Sequence, residues 1–149
     1  INKQYKENRT TLVHGDMSPK NILFYKNEIK FLDAETSNFG DPVFDVVFFT
    51  NHLLIKSIYL PNKKSQFLKA YKNFIDTYIS NSNCEDKKFF FRRCLNMIPL
   101  MLIARVDGKS PVEYIKSTKM KNEIRKLSFK LLNKKDISLG NLLNIYSNE

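Results

Sequence analysis

The chain has 149 residues, of which 42% are hydrophobic and 27% are charged. This balance is that of a globular protein with one ordinary core, and it excludes wholesale disorder. The 25 basic and 15 acidic residues give a net charge of +10, which attracts phosphates, nucleic acid or anionic surfaces but does not specify a fold.

The N-terminus has neither the charged region nor the cleavage site of a signal peptide. The longest apolar runs, around residues 43–49 and 98–106, are shorter than the ~20 residues that a membrane span needs. We therefore expect a cytoplasmic protein with no membrane partner. Cys84 and Cys94 fit neither a zinc spacing nor a disulfide framework, so both are expected to be reduced, buried thiols. Because the chain starts at Ile1 rather than Met, we expect it to be part of a longer protein.

The first predicted element is a β-hairpin. Residues 22–25 and 29–33 are β-prone apolar runs separated by the polar turn 26–28, which is the pattern of paired strands. The polar residues 14–21 precede the first strand, and Asp33 ends the second. The residue types that carry chemistry are therefore expected at both ends of the hairpin.

From Asp41 onward the pattern is helical. Asp41 and Pro42 have the form of an N-cap and a first helical residue, and they open an apolar helix that Pro61 ends. Further helices are predicted over residues 67–79, over residues 85–106 with a kink at Pro99, and over residues 118–133. The predicted fold class is α+β and mostly helical, with a small β-hairpin followed by four or five helices.

One spacing carries chemical information: His14, Asp16 and Asn21 stand close together before the first strand, and Asp33 follows the second. Phosphoryl transfer needs a carboxylate near the attacking hydroxyl and oxygen ligands for the Mg²⁺ that bridges the nucleotide phosphates. Mg²⁺ takes one or two carboxylate or amide oxygens, and phosphates and water complete its octahedron. The chemistry of phosphoryl transfer would therefore explain the choice of these residue types. The four glycines are too far apart to form a glycine-rich phosphate loop.

The pattern resembles the catalytic loop of protein kinases, and Pro19 also stands where theirs has proline. Gly15 in place of their usual arginine, and Asp33-Ala34-Glu35 in place of Asp-Phe-Gly, are similar to the aminoglycoside phosphotransferase and choline kinase superfamily. Residues 40–45 resemble the continuation of that superfamily after the metal-binding aspartate. Residues 105–111 resemble a later part of bacterial phosphotransferases of this group.

The resemblance implies roles for single residues. Asp16 would orient and help to deprotonate the substrate hydroxyl, and Asn21 and Asp33 would ligate Mg²⁺. His14 would be structural, bonding the backbone rather than moving protons.

Further positions are implied to support the site or to face the substrate. Asp45 would anchor the catalytic loop from the following helix, and Glu35 would either support the metal or face the substrate. Ser18 stands where many protein kinases place a lysine that contacts the transferred phosphate.

Three more residues have two open interpretations each, and a fourth is expected to be structural. Arg105 and Asp107 either line the substrate side or pair with each other. Asp41 is either a helix cap or a site residue. His52 lies in an apolar helix and is expected to be a structural residue with its hydrogen bonds satisfied.

The implied function is that of an ATP-dependent phosphotransferase, a kinase acting on a hydroxyl of a small molecule with ATP and Mg²⁺ as cofactors. Residues 1–149 would form a single protein-kinase-like C-terminal lobe, with the N-terminal lobe of the same protein and the small-molecule substrate as partners. The isolated chain is then expected to bind ATP weakly and to have negligible turnover. A catalytically inactive relic or binding module of the same fold stays open as an alternative. Charge alone suggests a third possibility, a basic nucleic-acid-binding protein, although nucleic acid is not expected as a partner.

Overall fold

A computed structural model describes residues 8–82, 86–134 and 138–147. Within these residues, two antiparallel strand pairs precede five α-helices, which confirms the predicted α+β, mostly helical fold class. The strands are β1 (Thr11–Val13), β2 (Ile22–Tyr25), β3 (Glu28–Phe31) and β4 (Asn38–Gly40). The helices are α1 (Val43–Tyr59), α2 (Lys64–Asn81), α3 (Lys87–Asp107), α4 (Thr118–Leu132) and α5 (Leu139–Ser147).

The predicted hairpin is formed by β2 and β3. Its turn has two residues, Lys26 and Asn27, whose φ angles of 47° and 64° are both left-handed. Two such residues form the turn that matches the natural twist of a hairpin, and asparagine tolerates this conformation better than most residues. Glu28 consequently pairs with Tyr25 as part of the strand rather than belonging to the turn.

A second strand pair, β1 with β4, was not predicted. Thr11 pairs with Gly40 and Val13 with Asn38 in antiparallel register. Each strand has only three residues, too few to show the alternation of apolar and polar side chains by which strands are recognised in a sequence. The pairing brings the start and the end of residues 14–37 together at the first turn of α1.

The core is helical and centres on α1, which packs against α2, α3 and α4. Val47, Leu54 and Ile55 of α1 are fully buried. Tyr71 and Tyr146 are the largest fully buried side chains, and they bring α2 and α5 into the same cluster. Burial of this apolar surface is the main force that holds the helices together.

The helix ends follow local signals. Helix α1 begins at Val43, whose N–H donates to Asp41 Oδ1 at 3.0 Å, so Asp41 caps the helix as one of its two interpretations predicted. Asp86 caps α3 by accepting from the N–H of Phe89 at 2.7 Å. Pro99 lies inside α3.

The sequence also led to expectations about the two cysteines and about membrane spans. Cys94 is a buried thiol, as predicted, whereas Cys84 lies outside the described residues. Among these residues, no single helix is long and apolar enough to cross a membrane. The segments Val43–Tyr59 and Pro61–Asn81 meet that requirement only when taken together across a 120° bend.

Candidate active site

The loop between β1 and β2 is fixed by the carboxylate of Asp45, in the first turn of α1. Its Oδ2 accepts a hydrogen bond from the backbone N–H of His14 at 2.6 Å, and its Oδ1 accepts one from Gly15 at 3.0 Å. Hydrogen bonds to an ionised acceptor are short and about twice as strong as neutral ones. Asp45 therefore holds two backbone N–H groups of the loop from the following helix.

Gly15 is required by the path of this loop. Its φ is +82°, in the left-handed region that favours glycine. A Cβ at this position would lie 2.6 Å from the backbone oxygen of Thr36, which is too close for any side chain. The loop and the turn after β3 can approach each other only because residue 15 has no side chain.

His14 joins the loop to the hairpin. Its Nε2 lies 2.8 Å from the carbonyl oxygen of Leu32, and its Nδ1 accepts from the N–H of Asp16 at 3.3 Å. Because a carbonyl can only accept, the ring proton is on Nε2. The carbonyl of His14 also accepts from the hydroxyls of Thr36 and Ser37. Both ring nitrogens thus contact backbone groups of the loop and hairpin, and the structural role implied for His14 stays a prediction.

Asp16 and Asn21 form a hydrogen-bonded pair within the loop. The Nδ2 of Asn21 donates to Asp16 Oδ2 and to the Asp16 carbonyl, both at 2.8 Å. Asn21 is 2% exposed, whereas the Asp16 side chain is 33% exposed. Since the amide nitrogen is committed to Asp16, the amide oxygen of Asn21 points away from it. Lys20 Nζ lies 3.8 Å from Asp16 Oδ2.

Asp33 follows the hairpin in a left-handed conformation, with φ 58° and ψ 48°. Its side chain does not cap the short 3-10 turn that it precedes, and it is exposed. The preceding residue, Leu32, donates its N–H to the Asn21 carbonyl at 2.8 Å and accepts from His14. A non-glycine residue held in this region costs about 1–2 kcal/mol, and such residues cluster at functional sites. The backbone thus places Asp33 directly beside the loop that carries Asp16.

The donor set of this loop and hairpin fits a hard divalent cation. Asp16, Asn21 and Asp33 supply carboxylate and amide oxygens, which are the protein ligands that Mg²⁺ takes. In the described part of the chain, no three His, Cys, Asp or Glu side chains cluster as metal ligands.

A pocket of about 480 Å³ opens next to the loop. Its walls are residues 18–20 of the loop, His52 and Lys56 of α1, Arg105 of α3, and residues 110–114. This volume is in the range of small-molecule sites. The pocket shares Lys20 with the surroundings of Asp16, so the two features are continuous.

A scan against known protein families matches residues 1–84 to the Ecdysteroid kinase-like family, more than half of the chain. The chain belongs to the ecdysteroid kinase-like family. The matched range contains the loop, the hairpin and all of α1. A search of curated proteins finds no match to the chain.

Membership of the ecdysteroid kinase-like family supports a kinase-like enzyme class, as the sequence pattern suggested. The matched residues include Asp16, Asn21, Asp33 and Asp45. Arg105 lies beyond residue 84, so its place beside the same loop comes from the structure and not from the family match.

Glu35 and Ser18 occupy different environments. Glu35 is exposed on the 3-10 turn Ala34–Thr36, and its role stays a prediction. Ser18 is buried, and within the described residues its Oγ has no hydrogen-bond partner. Its backbone N–H donates to the Asp16 carbonyl at 2.8 Å.

Arg105 and Asp107 form hydrogen bonds with different residues rather than pairing with each other. Arg105 Nη1 donates to the Ser110 carbonyl at 2.6 Å, and its side chain lines the pocket. Asp107 accepts two hydrogen bonds from Arg125 of α4, at 2.6 and 2.9 Å, and these bonds lower the pKa of Asp107. Arg105 thus lies on the pocket side, while Asp107 joins α3 to α4.

Asp41 is a structural residue. Its buried carboxylate accepts from the Val43 N–H and, at 2.7 Å, from Arg93 Nη2 of α3. Burial raises the pKa of Asp41, although the Val43 hydrogen bond and the Arg93 charge act in the opposite direction. Asp41 therefore caps α1 and ties it to α3.

The expectation that His52 has its hydrogen bonds satisfied is wrong. The ring is buried in α1, but among the described residues its Nε2 has no hydrogen-bond partner. Burial, followed by the charges of Arg105 and Lys56, lowers the pKa of His52 to about 4. A neutral, incompletely satisfied histidine thus forms part of the pocket wall.

Sequence reasoning missed Lys20, Lys56 and Tyr114 as pocket residues. No role was predicted for these three residues. One signal was present: Lys56 comes four residues after His52, so the two share one face of the predicted helix. Arg105 and Tyr114 could not be joined to that face, because they are about 50 residues away in the chain.

Proposed function

We propose that this chain is the substrate-side, C-terminal lobe of an ATP-dependent kinase of the aminoglycoside phosphotransferase type, which phosphorylates a hydroxyl of a small molecule. The observation that carries the proposal is the Asp16–Asn21 hydrogen-bonded pair at 2.8 Å. Asp45 holds the backbone of this loop, and the hairpin brings Asp33 next to it. Membership of a kinase-like family adds independent support.

Each of these residues has a separate proposed role in phosphoryl transfer. Asn21 engages Oδ2 of Asp16, so Oδ1 is the oxygen that orients the acceptor hydroxyl and takes its proton. The amide oxygen of Asn21 and the carboxylate of Asp33 would hold Mg²⁺, which when bound neutralises the charge of the nucleotide phosphates. Lys20 places a positive charge beside Asp16, where the transferred group carries negative charge.

The strand surface supports the proposal of an N-terminal lobe as partner. Leu12, Phe24 and Phe39 are 74%, 68% and 61% exposed, and Tyr25 and Ile29 are similarly uncovered. Exposed apolar patches of this kind mark interaction surfaces. An N-terminal lobe packed here would supply the remaining nucleotide contacts, and a kinase that draws on ATP in this way would act in the cytoplasm. The isolated chain should then show negligible affinity for Mg·ATP in calorimetric titration, and tight binding would contradict the two-lobe arrangement.

The decisive variant is Asp16→Asn in the protein that includes the N-terminal lobe. It should lower the rate of phosphate transfer from ATP to an alcohol panel by about 10²–10⁴-fold, the usual contribution of a positioned base. The unfolding temperature should change little, because Asp16 is partly exposed. Asp76→Asn is the matched control, since Asp76 is an exposed carboxylate on α2 paired with Lys72. An unchanged transfer rate in Asp16→Asn would show that Asp16 does not orient or deprotonate the acceptor hydroxyl.

The metal assignment is tested in the same assay. Asn21→Ala and Asp33→Asn should each raise the Mg²⁺ concentration needed for half-maximal transfer by about tenfold or more, because the first removes an amide oxygen and the second removes the negative charge of a carboxylate ligand. Glu28→Gln, which changes an exposed carboxylate in the same hairpin, should leave it unchanged. An unaltered Mg²⁺ requirement in both site variants would contradict the assignment. Absence of transfer to any alcohol by the unmodified protein would favour an inactive relic or binding module.

A further inference from the structure

The basic groups of the pocket are held in place by its walls. Arg105 donates to the Ser110 carbonyl, and its guanidinium lies 5.2 Å from the ring centre of Phe48. Lys56 Nζ lies 5.1 Å from the ring centre of Tyr114. Both basic side chains are half-buried, so their charges are less screened by water than those of ordinary surface residues.

Within the described residues, these two charges have no acidic partner. In the part of the chain that the structure describes, neither Lys56 nor Arg105 forms an ion pair with a carboxylate. Glu113 also lines the pocket but is exposed, and Asp16 stands at the end shared with Lys20. Half-buried cations without a counter-ion are costly unless a ligand supplies the opposite charge.

Several polar atoms of the same walls also lack partners among the described residues. Ser18 Oγ, His52 Nε2, Arg105 Nε and Tyr114 Oη are buried and have no hydrogen-bond partner among the described residues. Buried polar groups are almost always bonded, so a cluster of exceptions around one pocket needs an explanation. The low pKa of His52 reflects burial first and then the charges of Arg105 and Lys56, so the positive potential reaches the inner wall.

We propose that this pocket binds the acceptor as an anionic alcohol: Lys56 and Arg105 hold its acidic group, and its hydroxyl faces Asp16. The inference rests on the proposed kinase function and narrows its substrate class. Pro19, Val112 and the Tyr114 ring also line the pocket, and they suit a ring or short carbon chain between the two polar ends. Polycationic acceptors such as aminoglycosides are disfavoured by the same charges.

Binding can be tested on the chain itself without nucleotide, because the pocket lies wholly within it. Three probes of one shape are compared by calorimetry: 4-(hydroxymethyl)benzoate, 1,4-benzenedimethanol and 4-(aminomethyl)benzyl alcohol. The carboxylate should bind at least about tenfold more tightly than the neutral diol, and the amine should bind most weakly. The advantage of the carboxylate should shrink as NaCl is raised from 50 to 300 mM, because salt screens the partly exposed charges. Equal affinities for carboxylate and diol would overturn the proposal.

Variants separate the pocket from the overall charge of the chain. Lys56→Gln and Arg105→Gln should each weaken carboxylate binding by about tenfold and leave diol binding unchanged. Lys69→Gln and Arg92→Gln remove the same charge from exposed positions on α2 and α3 and should change neither. If the controls weaken carboxylate binding as much as the pocket variants do, the effect belongs to the net charge and the proposal fails. If Arg105→Gln fails to fold because it loses the Ser110 contact, the comparison of Lys56→Gln with Lys69→Gln decides the test.

Transfer assays with the same probes, in the protein that includes the N-terminal lobe, keep the two proposals distinguishable. Preferential carboxylate binding without transfer to any alcohol would overturn the kinase function and leave an anion-binding pocket. Transfer to the diol with a kcat/KM equal to that of the carboxylate would overturn the anionic acceptor and leave the kinase function standing. Transfer to the carboxylate with the higher kcat/KM supports both.

Discussion

Gly15 illustrates how a single missing side chain shapes the candidate site. Gly15→Ala should destabilise the chain by more than about 1 kcal/mol, because the left-handed backbone and the Thr36 oxygen both oppose a Cβ. The free energy of unfolding in urea measures the effect.

Gly140→Ala provides the matched control for this substitution. A Cβ there has its nearest neighbour at 3.9 Å, and the residue lies in α5. Alanine in a helix is favoured over glycine by about 0.5–1 kcal/mol, so this variant should be as stable as the wild type or slightly more so. Equal destabilisation by both substitutions would contradict the close approach at Gly15.

His52 should make the folded chain sensitive to acid. In the unfolded chain a histidine takes up its proton near pH 6.5, whereas burial and the neighbouring charges lower the pKa of His52 to about 4. The unfolded state therefore binds more protons between these values, and the stability due to His52 is lost as the pH falls through this window. The full shift corresponds to about 3 kcal/mol.

His52→Gln isolates this contribution, because glutamine does not titrate. Urea unfolding at pH 7 and at pH 4.5 should show a smaller loss of stability in the variant than in the wild type. Parallel losses in the two proteins would show that other groups account for the acid sensitivity.

At the scale of whole elements, the Asp41–Arg93 pair holds α1 against α3. Asp41→Ala removes the cap of α1 and one partner of a buried ion pair, which should cost about 3 kcal/mol or more in unfolding free energy. Asp76→Ala in α2 removes one partner of the exposed pair with Lys72 and should cost less than about 1 kcal/mol. Similar costs for the two variants would contradict the structural importance of the buried pair.

The elements also show how far the sequence could be interpreted. The hairpin and the long helices were predictable, because their patterns extend over many residues and proline marks the end of α1. The candidate loop residues could be proposed because Asp16, Asn21 and Asp33 combine residue type with spacing, and their roles stay predictions. The β1–β4 pair was missed because three-residue strands carry no periodic signal. The pocket was missed because its charges come from separate elements, and only packing shows that Lys56 and Arg105 lack acidic partners within the described part of the chain.

At the scale of the whole molecule, the strand surface should make the isolated chain self-associate. Phe24→Ser combined with Phe39→Ser removes two large exposed rings and should lower the sedimentation-average mass at about 100 µM towards that of the monomer, because exposed apolar patches drive association. Phe129→Ser, at a 56% exposed position on α4, should have no such effect. A wild-type chain that stays monomeric at this concentration would contradict the expectation.

Helix α1 serves two purposes along one face. Asp45, His52 and Lys56 are spaced by seven and four residues, so they recur on the same side of the helix. The first turn fixes the loop backbone, while two turns further on the same side borders the pocket. Substitutions at positions 52 and 56 would therefore alter the pocket wall, while the hydrogen bonds by which Asp45 holds the loop would stay in place.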